Sequence, residues 1–198
     1  FEQADLLEEA HRDGFRPRVF TDPFLERAAI QRAFAEFLFD YNILLFHGSS
    51  IAVDGEGYLF TAHSGTGKST HTRLWKQIFG DRAVMVNDDK PFLELTGNGV
   101  ILHGSPWSGK HGLDANISVP LKGLCHLERG LENQIAPISA EDVLPMIRKQ
   151  AYQPLNEEKH SRFLELTANL SQEVALWKMA CNKNPDAATL AYTTMHQG

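Results

Sequence analysis

Two periods of apolar and polar positions alternate along this chain. From Asp22 to about Asp40, Leu25, Ala28, Ala29, Phe34, Phe37 and Leu38 fall on one side of a helical repeat. Asp22-Pro23 supply an N-cap and a first-turn proline, so the segment predicts a helix whose phenylalanines face the core rather than a partner. ILLFHGSSIAV (43–53) predicts one strand, DGEG (54–57) a turn, and YLFTA (58–62) a second, antiparallel strand. A glycine-rich loop then leads into a helix over Lys68–Phe79, with Leu74 and Ile78 expected against the sheet and Trp75 in the core or half-buried. AVMVN (83–87) reads as a short buried strand ending in Asp88-Asp89. FLEL and VILHG flank the turn Thr96-Gly97-Asn98-Gly99 as a hairpin. Beyond a polar loop, 121–129 and 133–138 predict a further pair of strands, 140–150 and 156–169 two helices, and 174–180 a strand leading to a buried, inert Cys181. Asn184-Pro185 opens a last helix. Hairpin strands with four or five helices predict an α/β protein with a mixed sheet.

Bulk composition narrows the class. At 198 residues and 42% hydrophobic, the chain suits a single domain with a sizeable core. Its net charge is −6 and its cations are scattered, which argues against a nucleic-acid partner. No apolar run is long enough for a membrane span, and the opening FEQADLLEEAHRDGF lacks a signal-peptide pattern. Cys125 and Cys181 form no metal or disulfide spacing, so a reducing, cytoplasmic setting is expected. The chain opens on Phe1 rather than Met, which leaves open whether native residues precede it.

The chemistry concentrates around HSGTGKST (63–70). A phosphate loop follows the pattern G-x-x-x-x-G-K-[ST]; here Gly67, Lys68 and Ser69 fill its end, and Ala62 stands in place of the first glycine. His63, Ser64, Gly65, Thr66 and Gly67 would turn backbone N–H groups inward on a phosphate chain, and the following helix would add its positive end. Lys68 would bridge the terminal phosphates, and Ser69 would hold Mg²⁺, with Thr70 the weaker candidate. The plain alternative is a Gly/Ser turn between strand and helix. The acidic pair about twenty residues on favours the nucleotide reading. Asp88 and Asp89 at a strand end can swing together, one on Mg²⁺ and one accepting a proton from a hydroxyl. If Asp54 opposes Gly57 in the hairpin, His47 falls opposite Ser64, beside the loop. In GSPWSGKHGL (104–113), Lys110 could grip a γ-phosphate or an acidic substrate and Trp107 could form a flat wall; His103 is a weaker candidate. The histidines show no zinc spacing.

FHGSSIAVDGEGYLFTAHSGTGKST and VMVNDD, in this order, resemble the C-terminal kinase domain of HPr kinase/phosphorylase and, more distantly, ATP-dependent phosphoenolpyruvate carboxykinase. The matching core spans roughly 43–129, with helices and a strand over 139–198 beyond it. The resemblance implies a mixed-sheet P-loop fold with antiparallel hairpins and flanking helices. It implies Lys68 as loop lysine, Ser69 and Asp88 on Mg²⁺, Asp89 as the acid that takes the substrate proton and also touches the metal, and His47 as active-site histidine. Self-association is also implied. The family's glutamate metal ligand has no counterpart at the start of ILHGSPWSGKHGLDAN, where His103 stands. The expectation is a Mg²⁺-dependent kinase moving the γ-phosphoryl group of ATP to a hydroxyl of a peptide or protein serine or a small metabolite. The alternative is a nucleotide-binding regulatory module without chemistry, which the missing glutamate and first glycine favour.

Overall fold

Nine strands join into one curled, mixed sheet in the computed structural model, which describes residues 22–109 and 111–198. The strands are β1 (Ile43–Leu45), β2 (Ser49–Val53), β3 (Glu56–Thr61), β4 (Ala83–Asn87), β5 (Phe92–Leu95), β6 (Val100–His103), β7 (Ser118–Arg129), β8 (Gln134–Pro137) and β9 (Ala175–Cys181). Their order is β1-β5-β6-β7-β3-β2-β4, with β9 on β7 and β8 on β9. β7 runs parallel to β3 and to β9; every other pairing is antiparallel. The described residues also form five α-helices: α1 (Asp22–Leu38), α2 (Lys68–Phe79), α3 (Ala140–Gln150), α4 (Glu157–Glu173) and α5 (Asp186–Gln197). Side-chain caps start two of them: Ser139 accepts from the Asp142 N–H and Asn156 from the Glu158 N–H. No helix among the described residues is long and apolar enough to cross a membrane.

Strand alternation sends successive side chains to opposite faces, and helices cover both. Leu59 of β3 joins Leu93, Leu102 and Leu124 beneath Ile147 of α3 and Phe163 and Leu170 of α4. Its neighbours Tyr58 and Phe60 face the other way, into Trp75 of α2 and Ala188, Ala191 and Met195 of α5. Trp75 is fully buried, as its place in the sequence suggested.

Several local expectations change. The run 43–53 is two strands, because β1 pairs with β5 whereas β2 pairs with β3 and β4. The chain crosses between these partners at Phe46–Gly48. The His47 N–H there reaches the Gln150 carbonyl at 2.8 Å, and the Gly48 N–H reaches the Asp89 carbonyl at 3.0 Å. The hairpin turn is Asp54-Gly55 alone, since Val53 pairs with Glu56. That register directs His47 toward Ala62 rather than Ser64; an even-numbered shift keeps every side chain on its expected face. β7 and β8 form no hairpin, because β9 lies between them.

The helix faces change as well. α2 buries Lys68, His71, Thr72 and Trp75, while Leu74 is half-buried and Ile78 exposed. α1 buries Leu25, Ala29, Ala35 and Leu38 and leaves Phe34 and Phe37 exposed. Phe34 instead stands 5.6 Å from the Trp107 ring and 6.0 Å from that of Phe92, centroid to centroid. Cys181 is only half-buried; burial still raises its thiol pKa, as it does for fully buried Cys125.

One glycine couples the sheet to the loop over the site. A β-carbon at Gly104 would lie 1.8 Å from the Ala115 carbonyl oxygen, whose residue is tied by its N–H to Val86. Gly104→Ala is expected to cost about 3 kcal/mol or more, because backbone rather than a flexible side chain must move. A urea midpoint unchanged from the wild type would refute this.

Candidate functional site

β3 ends at Thr61, and the loop after it turns through Gly65 and Gly67 at φ 77° and 127° before α2 begins at Lys68. L side chains rarely adopt these angles, which is why glycine stands at both. Ala62 is not among the positive-φ residues and is fully buried, so it needs no glycine. No side chain caps the first turn of α2, leaving its N–H groups to other partners. Arg129 at the end of β7 donates to the Gly65 carbonyl at 2.6 Å and braces the loop. This geometry can receive an anion at the positive end of α2.

Lys68 is buried, with Nζ 3.2 Å from the Ala62 carbonyl. Burial pushes its ammonium pKa down, Asp89 works against that, and Lys90 adds to it. Asp89 lies across the site, its Oδ1 3.3 Å from His47 Nε2 and its Oδ2 3.1 Å from Lys90 Nζ. Burial alone would raise its pKa; the hydrogen bond from His47 and the charge of Lys90 overcome this and hold it at about 2. Asp89 is therefore a carboxylate at any physiological pH.

Asp88 points inward and is 4% exposed. Its Oδ1 accepts from the Gly109 N–H, while its buried Oδ2 has no partner. A buried carboxylate oxygen without a donor is costly unless a ligand meets it, so Asp88 fits a cation site. Among the described residues no three His, Cys, Asp or Glu side chains gather as a metal cluster. That donor set suits Mg²⁺, which takes one or two protein oxygens and completes its shell with phosphate and water. Asp88 Oδ2 and the Ser69 hydroxyl are the groups that would hold it.

Asn87 orients this acidic pair and was not singled out from sequence. Its Oδ1 accepts from the N–H groups of Asp89 and Lys90 at 2.8 and 2.6 Å, and its Nδ2 donates to the Ser105 carbonyl at 2.9 Å. An Asn at a strand end before two acids is an Asx-turn signal that could have marked it.

His47, Ser64, Gly65, Gly67, Lys68, Ser69, Thr70, Asp88 and Asp89 all line one cavity of about 440 Å³, together with Gly109 and His111. Thr66 faces an adjoining cavity of about 540 Å³, which Gly65, Gly67 and Thr70 also border. His63 is exposed and enters through its carbonyl, which accepts from the Thr66 N–H. His103 does not join the site: Glu94 and Ser118 hold its two ring nitrogens at 2.9 and 2.7 Å. Lys110 lies outside the described residues.

His71 lines the larger cavity. The indole N–H of Trp75 donates to its Nε2 at 3.1 Å, so the neutral ring carries its proton on Nδ1, which is buried without an acceptor. Burial lowers its pKa from 6.5 to about 4. The unfolded chain thus takes up a proton near pH 6.5 that the folded chain refuses until pH 4. Stability is expected to be full above pH 6.5 and to fall by about 3 kcal/mol on acidification to pH 4. His71→Gln keeps an acceptor for Trp75 and should flatten that slope in urea titrations. An unchanged slope would assign the loss to other groups.

No family model matches the sequence, and no curated protein matches it. Among solved structures, the chain is similar to the Hpr(Ser) kinase/phosphatase from Coxiella burnetii at 12% identity and a TM-score of 0.38. That similarity covers 77% of this chain and 94% of that one and is a distant likeness of fold.

Proposed function

We propose that the protein is a Mg²⁺-dependent kinase that moves the γ-phosphoryl group of ATP to a hydroxyl. The observation that carries this is the shared cavity: a glycine loop, a buried lysine, a carboxylate with an unpartnered oxygen and an ionised Asp89 held by His47 all border it. The acceptor oxygen bonds to the γ-phosphorus as the bond to the departing ADP oxygen breaks, and Asp89 orients the hydroxyl and takes its proton. Lys68 and the loop N–H groups meet the charge on the phosphates, so catalysis is mainly positioning and electrostatics. When bound, Mg²⁺ neutralises charge shared between the terminal phosphates. The nucleoside end is assigned to the adjoining cavity. Leu74 and Leu127 offer it apolar surface, and Arg129 and Asn182 offer polar partners.

Titration calorimetry with and without Mg²⁺, beside transfer from labelled ATP, tests the assignment. Asp88→Asn is expected to weaken Mg·ATP binding about tenfold while Mg²⁺-free ATP binds as before. Equal losses with and without metal would remove Asp88 from the cation site. Among the described residues Asp88 belongs to no group of three side chains arranged as metal ligands, which favours a second reading, a nucleotide-binding module without turnover. It predicts the same metal-linked binding and no transfer to any acceptor.

A further inference from the structure

A further cavity, of about 680 Å³, shares Asp89 and Gly109 with the phosphoryl site and none of the glycine loop. Its size falls in the range of small-molecule sites. Trp107 stands in its wall, half-buried. The rings of Phe34 and Phe92 lie 5.6 and 5.9 Å from the indole, centroid to centroid. The loop that carries Trp107 is tied to the acidic segment on both sides of it. The Ser105 hydroxyl donates to the Lys90 carbonyl at 2.6 Å and accepts from the Trp107 N–H at 3.2 Å. Beyond Trp107, the Gly109 N–H donates to Asp88. These bonds fix the indole relative to Asp89.

Three other lining side chains are uncommitted. Gln31 and Ser108 are half-buried and Arg27 is exposed, and none has a side-chain partner among the described residues. Together they offer donors and acceptors, which is what a hydroxyl group takes. The charges do not favour an anion. Lys90 is paired with Asp89 at 3.1 Å, and Arg27 is exposed, where water and salt screen it. Among the described lining residues no cation is both buried and unpaired, while the acceptor must approach Asp89 and a triphosphate.

Building on the kinase reading, we propose that the phosphoryl acceptor is an uncharged sugar or cyclic polyol and that Trp107 selects it. The C–H groups on one side of such a ring, polarised by their oxygens, rest against the negative face of the indole. Its hydroxyls meet Gln31, Ser108 and Arg27. One hydroxyl is presented to Asp89: its oxygen takes the γ-phosphoryl group as the bond to ADP breaks, and its proton passes to Asp89.

The test compares ligands of one ring size on the full chain. Glucose and myo-inositol are the polyols, glucuronate adds a carboxylate, and cyclohexanol keeps a single hydroxyl. A short serine peptide stands for a polypeptide acceptor. Saturation-transfer NMR reads affinity, with ATP titrated separately. At least one polyol is expected to bind about tenfold more tightly than glucuronate, cyclohexanol and the peptide, and to receive label from ATP. Trp75 and Trp177 are buried, so that polyol should also shift the emission of Trp107. Trp107→Ala should weaken it about tenfold, Trp107→Phe should restore it to within about threefold, and Gln31→Ala should weaken it about fivefold. All three variants should keep ATP affinity within about twofold, which a Trp107 that only props the loop on Asp88 would not. The proposal is overturned if no polyol binds or if glucuronate, cyclohexanol or the peptide binds as well. It is also overturned if Trp107→Ala changes nothing or loses ATP in the same proportion, or if label passes only to another acceptor. Failure of the wild type to bind ATP would instead sink the kinase reading, and the polyol affinities would still decide the recess.

Discussion

Lys68→Met is expected to lose phosphoryl transfer by about 10²–10³-fold while melting at or above the wild-type temperature. Lys68 is buried, with the Ala62 carbonyl at 3.2 Å, and its ammonium is pushed below its ordinary range by desolvation. A lowered lysine pKa means that folding disfavours the charged form, so at neutral pH this group costs stability. Methionine keeps the length of the side chain and removes the charge, and such swaps are often neutral or stabilising. The position would thus exchange stability for a charge aimed at the phosphates, a trade seen where function requires an unfavourable residue. Scanning fluorimetry beside a single-turnover assay reads both effects. A large fall in melting temperature would mean that Lys68 is structural, and unchanged transfer would remove it from the mechanism.

Asp89→Asn should lower kcat by about 10²–10⁴-fold, the range for removing a positioned proton acceptor, with ATP affinity nearly unchanged. Asparagine keeps the shape and loses the charge that His47 and Lys90 address at 3.3 and 3.1 Å. Equal losses in ATP binding and turnover would recast Asp89 as a nucleotide ligand. The carboxyl's folded pKa of about 2 lies below its ordinary 3.8, so its stabilising contribution is complete above pH 3.8 and vanishes as pH falls toward 2. The side chain is 35% exposed, so solvent reduces that contribution to about 1 kcal/mol. Activity profiles between pH 5 and 8 should carry no limb from Asp89, because it does not titrate there.

Much of this site was legible because its parts are local. Gly65 and Gly67 announce a backbone that other residues resist, and Asp88-Asp89 close a short apolar strand. What escaped was non-local. Residues 43–53 have the same apolar pattern whether they form one strand or two, and the pairing partners β5 and β3 decided the break. Phe34 and Phe37 fit a helical stripe, yet the neighbours of α1 left that edge exposed. Lys68 and His71 share the buried face of α2 with Trp75, a face that periodicity alone assigned to Leu74 and Ile78. Asn87 is an ordinary polar residue until its amide is seen holding two backbone N–H groups and the Ser105 carbonyl.

By itself, then, the order of residues determined most of the secondary elements, the mixed α/β class and the sequence-local members of the glycine-loop cluster. These depend on backbone angles and side-chain chemistry at neighbouring positions, which a linear chain already specifies. The tertiary structure alone decided that Asp88 keeps an oxygen without a donor and that His47 rather than His103 meets Asp89. Burial, charge pairing and cavity shape depend on segments far apart in sequence, and only packing brings them within a few ångströms.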